Sequence, residues 1–430
     1  MKISFVTLGC KVNLCETQGL MQLALVRGDE IVARGADAVV VNSCAVTATS
    51  EHKNIRALHK ARQENPDAVI AVIGCMAQTN ADRLLRDGTA DLICGVQDRA
   101  AVLDACADAA ARRGKARLLP ACREIGAQFE PLPAGVPRGR TRALLKVEDG
   151  CNNFCSYCVI PYARGRVRSL APASAVEEAV RLTAAGVHEI VVTGIEISSY
   201  GQDLAPRADL IGLMERLCRA CPETRFRLGS LEPRTVTDAF CARLSAFSNL
   251  APHFHLSLQS GCDGVLQRMN RHYTCAMFRA ATARLRAAFP DCSITADVIV
   301  GFPEETEAEF AETCAFLREI AFSEVHVFPY SPRPGTRAAG MEPQLGEEVK
   351  RARADAVRGI AAELSAAYRA RFVGRTLQIL PEHPNGAGDW SAHSPYCFPV
   401  YVRDDGLRKN CPAAVTVTAL EADGVRAERK

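Results

Sequence analysis

Short apolar runs separated by amphipathic stretches set the plan of this chain. Ile3 to Leu8, Ala38 to Val41, Ala68 to Ile73 and Leu92 to Ile93 are dominated by apolar residues, and each is followed by helical periodicity. Strands buried on both faces need such runs, and their alternation with helices predicts a parallel α/β unit. Between about Ala121 and Arg142 the pattern breaks. Pro131, Pro133, Gly135, Pro137 and Gly139 interleave with Arg138, Arg140 and Arg142, which reads as an exposed basic linker. A second βα series follows, with strands expected at Ala143 to Val147, Glu189 to Thr193, Arg225 to Leu228, His253 to Leu258, Ser293 to Val300 and Glu324 to Phe328. Six such units predict a partial (β/α)6 barrel. Glu347 to Ala370 reads as one closing helix, and Thr376 to Leu380, Cys397 to Val402 and Ala414 to Leu420 as strands of a small all-β module. The expected division is an N-terminal parallel α/β domain over 1–125, a barrel over 138–370 and the C-terminal module over 371–430.

Composition narrows this only slightly. At about 150 residues per domain, 430 residues suit three domains. A hydrophobic content of 48% with 23% charged residues excludes a disordered chain. The run from Ile3 to Leu8 is too brief for a signal-peptide core and no segment is apolar enough to span a bilayer, so a cytoplasmic protein without a membrane partner is expected. The net charge of +3 leaves the partner open, because nucleic-acid footprints are local. Nineteen cysteines change the picture more. In a reducing compartment they point to metal ligation or catalysis before disulfides.

Two cysteine constellations stand out. Cys151-Asn152-Asn153-Phe154-Cys155-Ser156-Tyr157-Cys158 places three thiols directly after the first strand of the second series, at what would be a barrel mouth. Three thiolates can hold three irons of a 4Fe-4S cubane and leave the fourth open to a small molecule. Three buried cysteines acting as small hydrophobes, or a zinc site lacking its fourth ligand, are the alternatives. The second set is distributed: Cys10, Cys44 and Cys75 each stand one to three residues beyond a predicted strand of the first unit. Such positions share the carboxyl edge of a parallel sheet, so they can converge on a second cluster, although three incidental thiols remain possible on spacing alone. Cys94, inside Leu92-Ile93-Cys94, reads as a core thiol.

The motifs together resemble a known family. Cys-x3-Cys-x2-Cys after a barrel strand is similar to the radical S-adenosylmethionine (SAM) superfamily. Leu8-Gly9-Cys10-Lys11-Val12-Asn13, Val41-Asn42-Ser43-Cys44, Gly74-Cys75-Met76, Pro161-Tyr162-Ala163-Arg164-Gly165, Leu258-Gln259-Ser260-Gly261, Arg268-Met269-Asn270-Arg271 and Tyr330-Ser331-Pro332-Arg333-Pro334-Gly335-Thr336 resemble its methylthiotransferases. Lys11-Val12-Asn13, Cys151-Asn152-Asn153-Phe154-Cys155 and His326-Val327-Phe328-Pro329-Tyr330-Ser331 look most like the threonylcarbamoyladenosine tRNA branch. The isopentenyladenosine and ribosomal-protein branches carry Gln-Met-Asn and Pro-Lys-Asn after the first cysteine. Two departures stand out: Leu14-Cys15 replaces the more frequent Gln-Tyr, and Glu304 replaces a usual glycine. The C-terminal module resembles a TRAM RNA-binding domain.

The resemblance implies two 4Fe-4S clusters, one on Cys151, Cys155 and Cys158 and one on Cys10, Cys44 and Cys75, together with SAM. It implies methylthiolation of carbon 2 of N6-threonylcarbamoyladenosine at position 37 of tRNA. The alternatives are the same chemistry on isopentenyladenosine or on a ribosomal-protein aspartate, or a non-enzymatic iron-sulfur RNA-binding protein. A carbon-bound hydrogen on adenine is not acidic enough for a side-chain base, so a radical derived from SAM fits where acid-base chemistry does not. Thr193, Gly194, Gln259 and Asp297 are the expected SAM contacts. Arg164, Arg166 and Arg168 are candidates for phosphates or the SAM carboxylate, and Arg138, Arg140, Arg142, Arg403, Arg408, Lys409 and Arg426 for the tRNA backbone. The implied partners are the tRNA anticodon loop, an electron donor such as a flavodoxin or ferredoxin, and a sulfur donor.

Overall fold

The computed structural model describes residues 1–112, 117–118, 125–136, 139–385 and 388–430. The first unit is a parallel sheet in the order Glu30–Ile31, Lys2–Thr7, Ala38–Ser43, Val69–Gly74, Leu92–Ile93, Arg117–Leu118. Every residue of Ala38–Ser43 and of Val69–Gly74 is buried, as the unbroken apolar runs require of strands covered on both faces. Helices Lys11–Val26, Ala48–Glu64 and Ala101–Arg112 pack around it. The two edge strands, two residues each, are too short to leave a periodic signature in the sequence.

The second series forms a twisted parallel sheet in two hydrogen-bonded pieces. Arg142–Lys146, Glu189–Thr193 and Arg225–Leu228 form one; Ser230–Leu231, His253–Gln259, Ser293–Val300 and Glu324–Pro329 form the other. The third strand passes between the pieces at Gly229, so six strands curve into a barrel whose first and last strands do not pair. Side chains alternate strictly along these strands. Leu145, Ile190, Val192, Phe226, Leu228, Phe254, Leu256, Ile294, Ala296 and Val298 join the apolar core beneath the helices. The intervening positions, including Lys146, Thr193, Arg227, His255, Gln259, Thr295, Asp297 and His326, face the interior. A (β/α)8 barrel fills its centre with branched apolar residues; this interior is polar and partly open.

The segment expected to be an exposed linker is instead partly packed. Ala134 is buried, its N–H donates to Glu178 at 2.8 Å and its carbonyl accepts from Arg181. Leu132 and Pro133 lie against Gly19 of the first helix. Buried main-chain groups need partners, and this strip finds them on both sides of the crossing. Pro137 and Arg138, and residues 121–124 of the same segment, lie outside the described residues.

Helix Glu347–Ala370 leads to a closed five-stranded barrel of Thr376–Pro384, Asp389–His393, Pro399–Arg403, Val425–Arg429 and Ala413–Leu420. The sequence pattern missed Asp389–His393 and Val425–Arg429. Val425–Arg429 turns only Val425 and Ala427 inward and is otherwise charged. Cys397, expected to begin a strand, occupies a positive-φ turn position before it. This module closes the lower end of the large barrel, where Arg227 donates to the carbonyls of Pro395 (2.9 Å) and Ser394 (3.3 Å). No helix among the described residues is long and apolar enough to cross a membrane.

Candidate active site

Three strand ends of the N-terminal sheet carry Cys10, Cys44 and Cys75, and a buried amide lattice ties them together. Asn13 donates to the Leu8 carbonyl (3.1 Å), the Asn42 side chain (3.1 Å) and the Ser43 carbonyl (2.9 Å). The Ser43 hydroxyl donates to the Ile73 carbonyl at 2.6 Å. Gly9 adopts φ +104°, and a Cβ there would stand 2.7 Å from the Cys44 Cβ, so glycine is what lets the Cys10 turn close on Cys44. Burial pushes the Cys75 thiol up to about 11 even though Arg164 pulls it down, and the charges of Cys10 and Cys44 both act on it. Burial likewise raises Cys44. Cys94 sits wholly inside the apolar core of the sheet.

Cys151, Cys155 and Cys158 occupy a loop that the Arg268-Met269-Asn270-Arg271 motif clamps. The Ser156 N–H donates to the Met269 carbonyl (3.0 Å), its hydroxyl to the Arg268 carbonyl (2.8 Å), and Asn270 donates to the Phe154 carbonyl (2.9 Å). Arg271 reaches the Cys155 sulfur at 3.0 Å and Glu232 at 3.0 Å, and Glu232 also accepts from Asn153. Gly150 at φ +84° allows the loop to lie on the Arg166 carbonyl, which a Cβ would meet at 2.0 Å. Burial and the neighbouring Cys155 push the Cys158 thiol up to about 12, and Cys75 of the other trio also acts on it. Arg164, which follows this loop, donates to the Cys75 sulfur at 3.2 Å and so ties the two trios to one region of the molecule.

Neither trio has the spacing of a single zinc site. With zinc–sulfur bonds near 2.3 Å, tetrahedral thiolates stand about 3.8 Å apart. Among the described residues, the one group of three or more such ligands with all atoms within 4.8 Å is His255, Asp297 and His326. A cubane places each cysteine on a different iron and so holds them farther apart. Arg164 and Arg271, donating to Cys75 and Cys155, supply the hydrogen bonds and positive charge that thiolate-ligated clusters need. The donor sets fit two clusters.

Between the trios lies an ion network the sequence did not reveal. Glu16, wholly buried, accepts from Lys146 (2.8 Å), Arg164 (2.8 Å) and Arg99 (2.9 Å). Asp149 accepts from Lys146 (2.6 Å) and Arg164 (3.0 Å). Burial pushes Glu16 up, but Arg164, Arg99 and Lys146 outweigh it and hold the carboxyl at about 2. The same balance keeps Asp149 far below the usual carboxylate range. This corrects the expectation for two arginines. Arg164 and Arg168 are buried, with Arg164 neutralised by carboxylates and Arg168 donating to the Arg164 carbonyl at 2.8 Å, so neither reaches a phosphate. Arg166 is exposed and stacks on Phe154 at 4.9 Å.

A cavity of about 260 Å³ opens beside Cys158 and the turn after Cys44, lined by Tyr157, Val46, Gln259, Asp297 and Tyr330 among others. Gln259 takes φ +65°, a left-handed conformation that costs a non-glycine residue about 1–2 kcal/mol and that clusters at functional sites. Asp297 accepts from His255 at 3.3 Å. Thr193 and Gly194 do not line this cavity. Thr193 is buried, and a Cβ on Gly194 would stand 2.7 Å from the Glu148 carboxylate, so its close approach is to protein. Glu196, which the sequence reading passed over, accepts from the Ser199 hydroxyl (2.6 Å) and acts on Cys151; burial, reinforced by Glu232, raises its carboxyl.

The rim carries aromatic and basic groups. Phe154 and Tyr162 meet edge to face at 5.8 Å, both exposed, with Phe328 also exposed at the mouth. Arg140, Arg403 and Arg408 are exposed. Arg142 pairs with Glu382 (3.2 Å), Arg426 pairs with Glu421 (2.9 Å), and Lys409 donates to the Gly139 carbonyl at 2.7 Å. Glu304, the departure from glycine, keeps the left-handed turn at φ +64°.

The chain matches the Radical SAM superfamily over residues 145–317 and Uncharacterized protein family UPF0004 over 2–95. It is similar to the threonylcarbamoyladenosine tRNA methylthiotransferase MtaB of Bacillus subtilis, 39% identical over 88% of this chain and 84% of the relative. It is also similar to the MtaB of Thermotoga maritima, 35% identical over 97% and 95%. A tRNA-2-methylthio-N(6)-dimethylallyladenosine synthase of Thermobifida fusca is 33% identical over 89% and 78%. Among solved structures, the radical S-adenosylmethionine methyltransferase TsrM of Kitasatospora setae shares the fold, with a TM-score of 0.56 at 15% identity over 79% of this chain and 77% of that one.

Proposed function

The chain belongs to the radical SAM methylthiotransferase family, and from that premise we propose that it converts N6-threonylcarbamoyladenosine at position 37 of tRNA to its 2-methylthio form. The MtaB relatives carry this reading over the dimethylallyladenosine synthases, which are less similar. What supports it in the structure is that Arg164, just after the Cys151–Cys158 loop, donates to the Cys75 sulfur at 3.2 Å, while Cys158 lines a cavity together with Val46 and Thr47, which follow Cys44.

When bound, the cluster on Cys151, Cys155 and Cys158 supplies the electron for SAM cleavage, and the cluster on Cys10, Cys44 and Cys75 supplies sulfur. The protein's own contribution is orientation and exclusion of water. Arg271 and Arg164 donate to one ligand sulfur in each trio and offset thiolate charge. The Glu16 network locks the first helix of the N-terminal unit to the barrel, which fixes one trio against the other. Gln259 and Asp297 supply polar groups to the cavity wall, and Thr193 and Gly194 shape the backbone beside Glu148 and Glu196. Phe154, Tyr162 and Arg166 offer stacking faces and charge to an unstacked anticodon-loop base.

In this reading residues 1–125 carry the auxiliary cluster, 138–370 the SAM site and 371–430 a TRAM-like RNA-binding module, and the enzyme works in the cytoplasm with a flavodoxin or ferredoxin as reductant and a separate sulfur donor. Mass spectrometry of tRNA nucleosides from a deletion strain tests the substrate. Loss of 2-methylthio-N6-threonylcarbamoyladenosine, restored by the gene but not by a Cys155→Ala version, is expected. Its persistence, or loss of the isopentenyl counterpart instead, refutes the assignment.

A further inference from the structure

Below the upper cavity the barrel interior continues as a chamber of about 590 Å³. Its positive groups are poorly matched. Lys11 projects into it from the turn after Cys10; its surface is accessible because it stands in open lumen, within electrostatic reach of Asp297. Arg369 donates only to the Ser365 hydroxyl (2.8 Å) and the Ala422 carbonyl (3.1 Å). Among the described residues neither cation has a carboxylate partner. His253 is buried with its Nδ1 unbonded. The chamber's carboxylates are engaged elsewhere, Glu324 with His326 (3.7 Å) and Asp423 with Tyr401 (2.9 Å), so the positive charge of Lys11 and Arg369 is left for a ligand with anionic and polar atoms.

The chamber and the upper cavity share a wall. Asp297 lines the upper space and His255, its partner, lines the lower one. His255 stacks on His326 at 5.8 Å, and the ligating atoms of these three residues lie within 4.8 Å of one another. Thr295 bonds His255 Nδ1 at 2.9 Å and directs Nε2 toward Asp297. In an adenine, carbon 2 and the N6 substituent project from different edges of the ring. A base offering carbon 2 to the cysteine trios can therefore send its substituent past Asp297 into the chamber.

We propose that this chamber receives the threonylcarbamoyl substituent, with the Lys11 ammonium as counter-ion to its carboxylate and the His326 imidazole bonding a remaining polar atom. The inference rests on the substrate reading above. It makes Lys11 and His326 specificity residues: an apolar isopentenyl group would displace water from the Lys11 ammonium and the His326 imidazole and give them no polar partner in return, which is how sites built for polar substituents reject apolar ones.

The test uses the full chain with both clusters reconstituted, and anticodon stem-loop RNAs carrying threonylcarbamoyladenosine or its carboxylate methyl ester. Binding by fluorescence anisotropy and methylthiolation rates are both read. Lys11→Met is expected to weaken binding of the acid and raise its KM roughly 10- to 100-fold, the range of a charged hydrogen bond, while binding the ester as the wild type does. Lys11→Arg restores most of the loss. His326→Phe, distant from the cluster ligands in sequence, gives a smaller loss in the same sense, and unchanged iron content shows that each variant is folded. Equal binding of acid and ester by the wild type, or acid binding unaffected in both Lys11→Met and His326→Phe, overturns the proposal while leaving the substrate assignment standing. A wild type that binds the RNA but never methylthiolates it defeats the substrate reading and this inference with it.

Discussion

Glu16→Gln isolates what joins the two cluster-bearing units. The substitution keeps shape but removes one of the two carboxylates, the other being Asp149, that Arg99, Lys146 and Arg164 share, and the site is wholly buried, so solvent screening offers no relief. A carboxyl held at about 2 against an ordinary 4.5, at about 1.4 kcal/mol per tenfold, is worth about 3 kcal/mol. Breaking buried ion pairs in general costs about 3–5 kcal/mol, which agrees. The sign follows from the lowered folded-state value. The contribution is complete above about pH 4.5 and is lost as pH falls toward 2, so the gap between wild type and variant should close over that window. Urea denaturation of cluster-free protein at pH 7 and pH 3.5, followed by circular dichroism, measures it. Because Glu16 belongs to the N-terminal helix while Lys146 and Arg164 belong to the barrel unit, the variant should also separate one transition into two. A difference below about 0.5 kcal/mol, or one independent of pH, refutes the argument.

Cys155→Ala should halve bound iron and abolish deoxyadenosine formation from SAM, while the spectrum of the cluster on Cys10, Cys44 and Cys75 persists; full loss of iron would show the sites to be interdependent. Arg271→Met removes a donor and a positive charge at the Cys155 sulfur, so an electron paramagnetic resonance redox titration should find that cluster harder to reduce, and an unchanged potential would discount the contact. Glu304→Gly relieves a left-handed conformation worth about 1–2 kcal/mol and gives back part of it as unfolded-chain entropy, so thermal melting should rise by up to about 1 kcal/mol equivalent; a lower melting point contradicts the strain. Arg166→Ala should weaken tRNA binding and reduce the slope of log affinity against log salt by about one, where no change in slope removes it from the phosphate interface.

Most of the elements and the candidate chemistry were legible in the order of amino acids. Unbroken apolar runs marked Ala38–Ser43 and Val69–Gly74 because strands covered on both faces tolerate nothing else. The alternation of the barrel strands carried its inner and outer faces, and the placing of six cysteines after strand ends carried the candidate ligand sets. Strands such as Val425–Arg429 escaped because two inward residues are too few to make a period. Which distant side chains share a site emerged from the packed fold. No local pattern singles out Glu16, and Arg164 stood as a candidate for phosphates or the SAM carboxylate, yet they meet 148 positions apart in a buried pair. Lys11, His255, Asp297 and His326 come together only when the first helix of one unit closes over the open edge of the other. Local propensity and periodicity act over a few residues and leave a record in the chain; the pairing of buried charges depends on how separately folded layers dock, and docking brings together residues whose spacing in the sequence carries no trace of it.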